Sequence, residues 1–254
     1  MSGKGEKSSF RCEAESHVTG PVAHLNHFIF SVSFVAIFLF ACSALGAPEP
    51  TIKIDSSDGP WSKTYTEGEI ETLPDDTFYL QGAYTNSVFD ASWTLTFKSE
   101  PYVESFLSIK NTTGVSQIYT VTFTEPVSPG IGPSSLYGGS TSGSLSTDPA
   151  GGFVSTVAST PLYWGMIDNA GILPFYPHPS SWSLPGRGTA VIGLQDAWDI
   201  VDGAVNSSIS IQHKFELGAG DVVALTGYFE VNPIPEPVTI LLLGLGAVGL
   251  RRRR

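Results

Sequence analysis

The chain has 254 residues with 24 acidic and 13 basic side chains, a formal net charge of −11, 27 glycines, 18 prolines and two cysteines. The acidic balance repels phosphates and argues against nucleic acid as a partner, while a charged fraction of only 15% argues against a long disordered acidic tail. Cys12 and Cys42 both lie near the N-terminus, so the remainder has no disulfide, no thiolate metal site and no thiol nucleophile.

Phe28 to Ala41 is an uncharged run of 14 residues, followed by the small residues Ser43, Ala44 and Gly46. An apolar stretch of this length ahead of small residues at −3 and −1 predicts a secretory signal peptide over residues 1–46, cut between Gly46 and Ala47. A cut one residue later would place Pro48 directly after the scissile bond, where signal peptidases rarely work. The leading Lys4, Lys7 and Arg11 are balanced by Glu6, Glu13 and Glu15, which fits a true start further downstream. Two other readings stand beside this one. Leu39-Phe40-Ala41-Cys42 is a poor lipobox for lipidation at Cys42, and residues 28–45 sit at the lower length limit for a retained anchor.

Residues 47–232 predict one all-β domain, a β-sandwich or jelly roll. Ala91 to Phe97 places apolar residues at every odd number, Tyr119 to Phe123 repeats the pattern, and Val103 to Ile109 is similar with Phe106 out of phase. Such alternation predicts half-buried strands, read here as adjacent and antiparallel, with Asn111 to Gly114 as a turn. From Pro126 to Gly152, 18 of 27 residues are Gly, Ser or Pro, which predicts a long mobile loop unable to fill a core. Leu194 to Val205 is the best candidate for a short helix, with Trp198, Ile200 and Val201 toward a core. Ile209 to Leu217 alternates again, and Gly218 to Asp221 predicts a hairpin turn into Val222 to Val231. No regular internal period is present, which argues against a solenoid or propeller.

Catalytic signatures are sparse. The nearest string to a nucleophile elbow, Gly139-Ser140-Thr141-Ser142-Gly143, has Thr where the nucleophile should stand. Only His178 and His213 belong to the exported part, too few for a histidine-rich metal site, and no cofactor motif is present. His213 falls on the apolar face of its strand and reads as a buried or edge histidine bonded to backbone, with a base or ligand as the sharper alternative. Tyr176, His178 and Trp182 sit in an aromatic, proline-stiffened loop from Pro174 to Trp182. Aromatic faces stack on sugar rings, so this loop is a candidate carbohydrate site, against the plainer reading of a loop packing its own rings onto the sheet. Asp196, Asp199 and Asp202, spaced by three, would gather on one helical turn as oxygen donors for Ca²⁺, but they lack the pattern of a calcium loop and read better as solvated residues. A pair of carboxylates for glycoside hydrolysis would converge only in three dimensions.

The C-terminal residues 233–254 carry the most specific signal. Pro235-Glu236-Pro237 precedes an uncharged, glycine-bearing segment from Val238 to Leu250, and Arg251, Arg252, Arg253 and Arg254 close the chain. As a helix, residues 238–250 would span about 20 Å, short of a hydrocarbon core of about 30 Å. Arginine snorkelling and bilayer thinning make it a marginal transmembrane segment. The four arginines would stay cytoplasmic, leaving everything before Pro233 outside.

This tail resembles the PEP-CTERM sorting signal of bacterial exosortase substrates, in its motif, its apolar stretch and its basic terminus, over about 22 residues. The string VESFLSIKNTTGVSQIYTVTF is loosely similar to a strand–turn–strand of such ectodomains. The resemblance implies transient recognition by a membrane-embedded cysteine transpeptidase that cuts near the motif. It then implies transfer of the exported part from the inner membrane to the cell surface or exopolysaccharide matrix. Residues 47–236 carry 21 acidic against 6 basic side chains, a balance that keeps a domain soluble in a crowded matrix. The sequence therefore predicts a non-enzymatic exported protein, with a carbohydrate-binding module and a secreted polysaccharide hydrolase as the alternatives.

Overall fold

The computed structural model describes residues 49–98, 101–132 and 134–234. The predicted signal peptide with its Gly46–Ala47 cut, the Pro235-Glu236-Pro237 motif, the 238–250 segment and Arg251 to Arg254 lie outside the described residues. Among those described, no helix is long and apolar enough to cross a membrane.

Among the described residues, fifteen strands form two antiparallel sheets that face each other as a sandwich. The first sheet runs in the order β11 (Ala170–Phe175), β10 (Tyr163–Ile167), β14 (Ser208–Leu217), β7 (Gln117–Pro126), β1 (Thr51–Ser56), β2 (Gly59–Thr64). At one end of β14 it also takes in β9 (Gly152–Thr156), which pairs with β12 (Ser181–Leu184). The second sheet is β13 (Gly188–Asp202), β8 (Ser134–Thr147), β15 (Val222–Pro233), β6 (Tyr102–Asn111), β5 (Phe89–Lys98), β4 (Phe78–Thr85), β3 (Glu71–Thr72).

The alternation read from the sequence sets the inward faces. Phe89, Ala91, Trp93, Leu95 and Phe97 of β5 are buried, as are Tyr119, Val121 and Phe123 of β7. Phe106, out of phase on β6, points outward and is 43% exposed. Across the middle layer the ring of Tyr119 meets Phe89 edge-on at 5.7 Å, and the Tyr163 hydroxyl donates to the Tyr228 carbonyl at 2.7 Å, tying the sheets together. At one border Trp61 of β2 stacks on Tyr84 of β4 at 4.6 Å, while Trp93 Nε1 donates to the Tyr65 hydroxyl at 3.0 Å.

Four expectations are corrected. The Gly/Ser-rich segment is no loop over most of its length, because β8 takes Ser134–Thr147 and pairs with β13 on one side and β15 on the other. Ladder bonds on both edges replace side-chain propensity, and small residues let bulky neighbours close in. A Cβ on Gly139 would stand 2.7 Å from the Tyr228 carbonyl, and one on Gly138 would strike the Trp198 ring. The predicted helix at 194–205 is instead most of β13, whose register against β8 slips by one residue between Ile192 and Gln195, a bulge. Neighbouring β8 offered this segment a ladder, and its Trp, Ile and Val content suits a strand better than a helix.

Asn111 to Gly114 and Gly218 to Asp221 do turn the chain, but neither joins paired strands. Each hands the chain from one sheet to the other: β6 to β7, and β14 to β15. The alternation of 209–217 and 222–231 is real, but the two strands face each other across the core. Local pattern fixes which side of a strand is apolar and leaves its partner open. Of the three strands read as adjacent, β5 and β6 do pair, whereas β7 belongs to the other sheet.

Candidate functional site

The aromatic loop begins where β11 ends. Tyr176 has φ of 52°, a left-handed conformation unusual for a non-glycine residue, and its surroundings hold it there. Its N–H donates to Gln195 Oε1 at 2.9 Å and its hydroxyl to the Gly193 carbonyl, so the bulge of β13 and the loop lock each other. The Tyr176 ring is buried and meets Trp182 at 5.1 Å and nearly perpendicular. Trp182, on β12, is half-buried. His178 is exposed, with Nδ1 3.2 Å from the Thr156 hydroxyl, which in turn accepts from the Ser180 N–H at 2.9 Å. The three candidate residues are thus brought together, but two of them spend their rings on each other and on the protein. A stacked sugar needs an open ring face.

Asp196 and Asp199 do not converge, and the Asp202 side chain lies outside what the structure describes. On a strand, residues three apart point to opposite faces, and 196 to 202 extends about 20 Å. Asp196 and Asp199 are exposed, and Asp199 caps the neighbouring Ile200 N–H at 2.8 Å. Among the described residues no three His, Cys, Asp or Glu side chains gather as a metal set.

His213 is fully buried on β14, edge-on to Tyr163 at 5.6 Å. The expected backbone bond is absent, and both ring nitrogens lack a partner. Burial pushes its pKa down to about 3, so the ring is neutral.

A second buried ionisable group escaped the sequence reading. Glu125 continues the inward alternation of β7 after Tyr119, Val121 and Phe123, is 1% exposed, and leaves Oε2 unpartnered. Burial pushes its carboxyl up to about 9, so it is a neutral acid at pH 7. The signal was present as a carboxylate in phase with an apolar face.

Other polar side chains organise the crossovers. Asn111 Nδ2 donates to the carbonyls of Val115, Leu217 and Gly218 at 2.8, 3.1 and 3.0 Å. Beside it, Asp221 Oδ2 accepts the Phe153 N–H at 2.9 Å. At the opposite side of the first sheet, Asp168 accepts from the N–H groups of Asn206, Ser207 and Ser208 at 2.8–3.0 Å. Burial works against its charge, but those amides and the Ser207 hydroxyl outweigh it and hold the carboxyl well below the usual range.

An open cavity of about 570 Å³ lies where the chain leaves β15, lined by Pro101, Val127, Pro129, Ile131, Val231 and Pro233 among others, none of them ionisable. It has shape without reactive groups. Neither family models nor curated proteins produced a match to this chain.

Proposed function

We propose that the chain is an exported surface or matrix protein of non-enzymatic, structural or interaction role, handed over by an exosortase through Pro235-Glu236-Pro237. The observation that carries this reading is the order of the tail. The motif begins two residues after β15 ends at Pro233, and the apolar segment and four arginines follow without interruption. The apolar run ahead of Gly46 supplies the matching entry signal, and the acidic excess of residues 47–236 suits a soluble life in an anionic matrix. The partners under this reading are the exosortase transiently, the inner membrane before processing, and the envelope or exopolysaccharide afterwards.

The carbohydrate-binding alternative draws no support from a loop whose Tyr176 is buried and whose Trp182 packs against it. The test of the main reading is the intact mass of native protein from envelope and culture fractions. Loss of residues 1–46 together with the tail beyond Pro237 is the expected result. An added mass on the new end would mark the acceptor. Recovery of chains that still end in Arg254 would overturn the processing argument.

A further inference from the structure

The corner where β14 hands the chain to β15 stands beside the turn from β8 to β9, and each supplies one carboxylate. Asp148 opens its turn by accepting the Ala150 N–H at 2.7 Å through Oδ1, and its Oδ2 hangs over Gly220, 3.4 Å from where a Cβ would be. Asp221 closes the other corner. Its Oδ2 is used by the Phe153 N–H, and its main chain is held by Asn111, whose N–H donates to the Asp221 carbonyl at 2.9 Å. Oδ1 of Asp221 has no partner, although the residue is fully buried.

Glycines frame this carboxylate. A Cβ on Gly152 or on Gly218 would collide with it, so both positions are kept bare around the Asp221 oxygens. Gly151 and Gly220 have φ of 81° and 75°, values that carry the chain tightly past the two acids. An orphaned carboxylate oxygen in a fully buried residue is costly, and a second acid nearby adds like-charge repulsion. A cation placed between the two acids removes both penalties at once.

We propose that Asp221 Oδ1 and Asp148 Oδ2 are protein ligands of one Ca²⁺ ion, held between the β8–β9 turn and the β14–β15 corner. The donors are hard oxygens with no imidazole or thiolate among them, which disfavours zinc. Calcium accepts irregular shells completed by water, whereas magnesium demands a near-ideal octahedron. Two carboxylates make a low charge count, which puts the dissociation constant on the order of 10⁻⁴–10⁻³ M. The ion would staple two sheet crossovers that lie some 70 residues apart in sequence. The proposal stands whether or not the tail is processed.

The test is thermal unfolding of the full chain, followed by tryptophan fluorescence, in chelator and in calcium at constant ionic strength. At about 10 mM CaCl₂ the Tm should rise by roughly 3–10 °C, with no comparable rise in MgCl₂. Equilibrium dialysis with ⁴⁵Ca should give one ion per chain. Asp148→Asn keeps an acceptor for the Ala150 N–H, so its Tm in chelator should match the parent while the calcium response disappears. Asp221→Asn should likewise lose the response without falling in chelator, because it removes a buried charge. A Tm indifferent to calcium, an equal response to magnesium, or a response that survives Asp148→Asn would overturn the site.

Discussion

Replacing Glu125 by Gln isolates the free energy of a buried acid. The carboxyl titrates near 4.5 in the unfolded chain and near 9 in the sandwich, so folding at intermediate pH requires the group to take up a proton. At pH 7 that uptake costs about 3 kcal/mol, from about 1.4 kcal/mol for each pH unit above 4.5. The sign follows directly: the folded state binds more protons than the unfolded state between pH 4.5 and 9. This group therefore lowers stability as pH rises through that window and contributes nothing below it. Gln has the same shape and no charge to lose. Its amide still faces the place where Oε2 lacks a partner, so it carries its own desolvation cost of about 1–3 kcal/mol. That cost is the same at every pH and cancels in a difference. Urea unfolding of both proteins at pH 4 and pH 7 gives the number. The stability gain of Glu125→Gln should be about 3 kcal/mol larger at pH 7 than at pH 4, a relative midpoint shift of about 1 M urea. Equal gains at the two pH values would refute the reasoning and place the carboxylate in contact with water or a cation.

His213 acts in the opposite direction. Its pKa falls from 6.5 to about 3 on folding, so stability is lost as pH falls below 6.5. The slopes from Glu125 and His213 cancel between pH 4.5 and 6.5, so their joint contribution, read by urea midpoints across pH, should be a plateau there with a fall on either side. His213→Phe should remove the acid-side fall of that profile. Asn111→Ala deletes two hydrogen bonds that tie the crossovers, to Leu217 and Gly218, together with those to Val115 and from Thr113 within its own turn, and should lower stability by about 3 kcal/mol or more by the same assay, since three carbonyls lose a donor. Trp182→Ala should lower stability by about 1–3 kcal/mol through lost packing on Tyr176 and leave glycan-array binding unchanged. A selective loss of sugar binding would restore the loop as a carbohydrate site.

Much of the strand inventory was legible because period-2 alternation depends on one strand alone. Ala91 to Phe97 and Ile209 to Leu217 announce an apolar face whatever they pair with. Pairing partners are a property of two distant segments, which is why the Gly218–Asp221 corner looked like a hairpin. The β8 segment shows the complementary failure. Ser and Gly carry no intrinsic strand preference, and only the ladders offered by β13 and β15 make Ser134–Thr147 a strand. The candidate loop was readable as aromatic and stiff. Nothing in Pro174 to Trp182 told that Gln195, from a bulge nineteen residues after Tyr176, would fix the Tyr176 backbone and sink its ring.

The buried polar groups divide by position, and the division has a physical cause. His213 stands in the middle of β14, where the neighbouring strands already exchange their amides and carbonyls, and Glu125, one residue from the end of β7, is still paired with Ile209, so neither inward side chain finds a backbone group to bond. Asn111 and Asp168 stand where the chain leaves the ladder, and the free carbonyls and N–H groups of those corners turn to them. A buried polar side chain therefore weakens the fold inside the ladder and clamps it at a crossover. Asp221 belongs to both classes. One oxygen is bonded to the corner as Asp168 is, and the other is left bare as in Glu125. A domain with no cysteine among its described residues has to secure its crossovers through such residues. The half-satisfied acid at the meeting of two crossovers is accordingly a point where an added ligand would strengthen the sandwich.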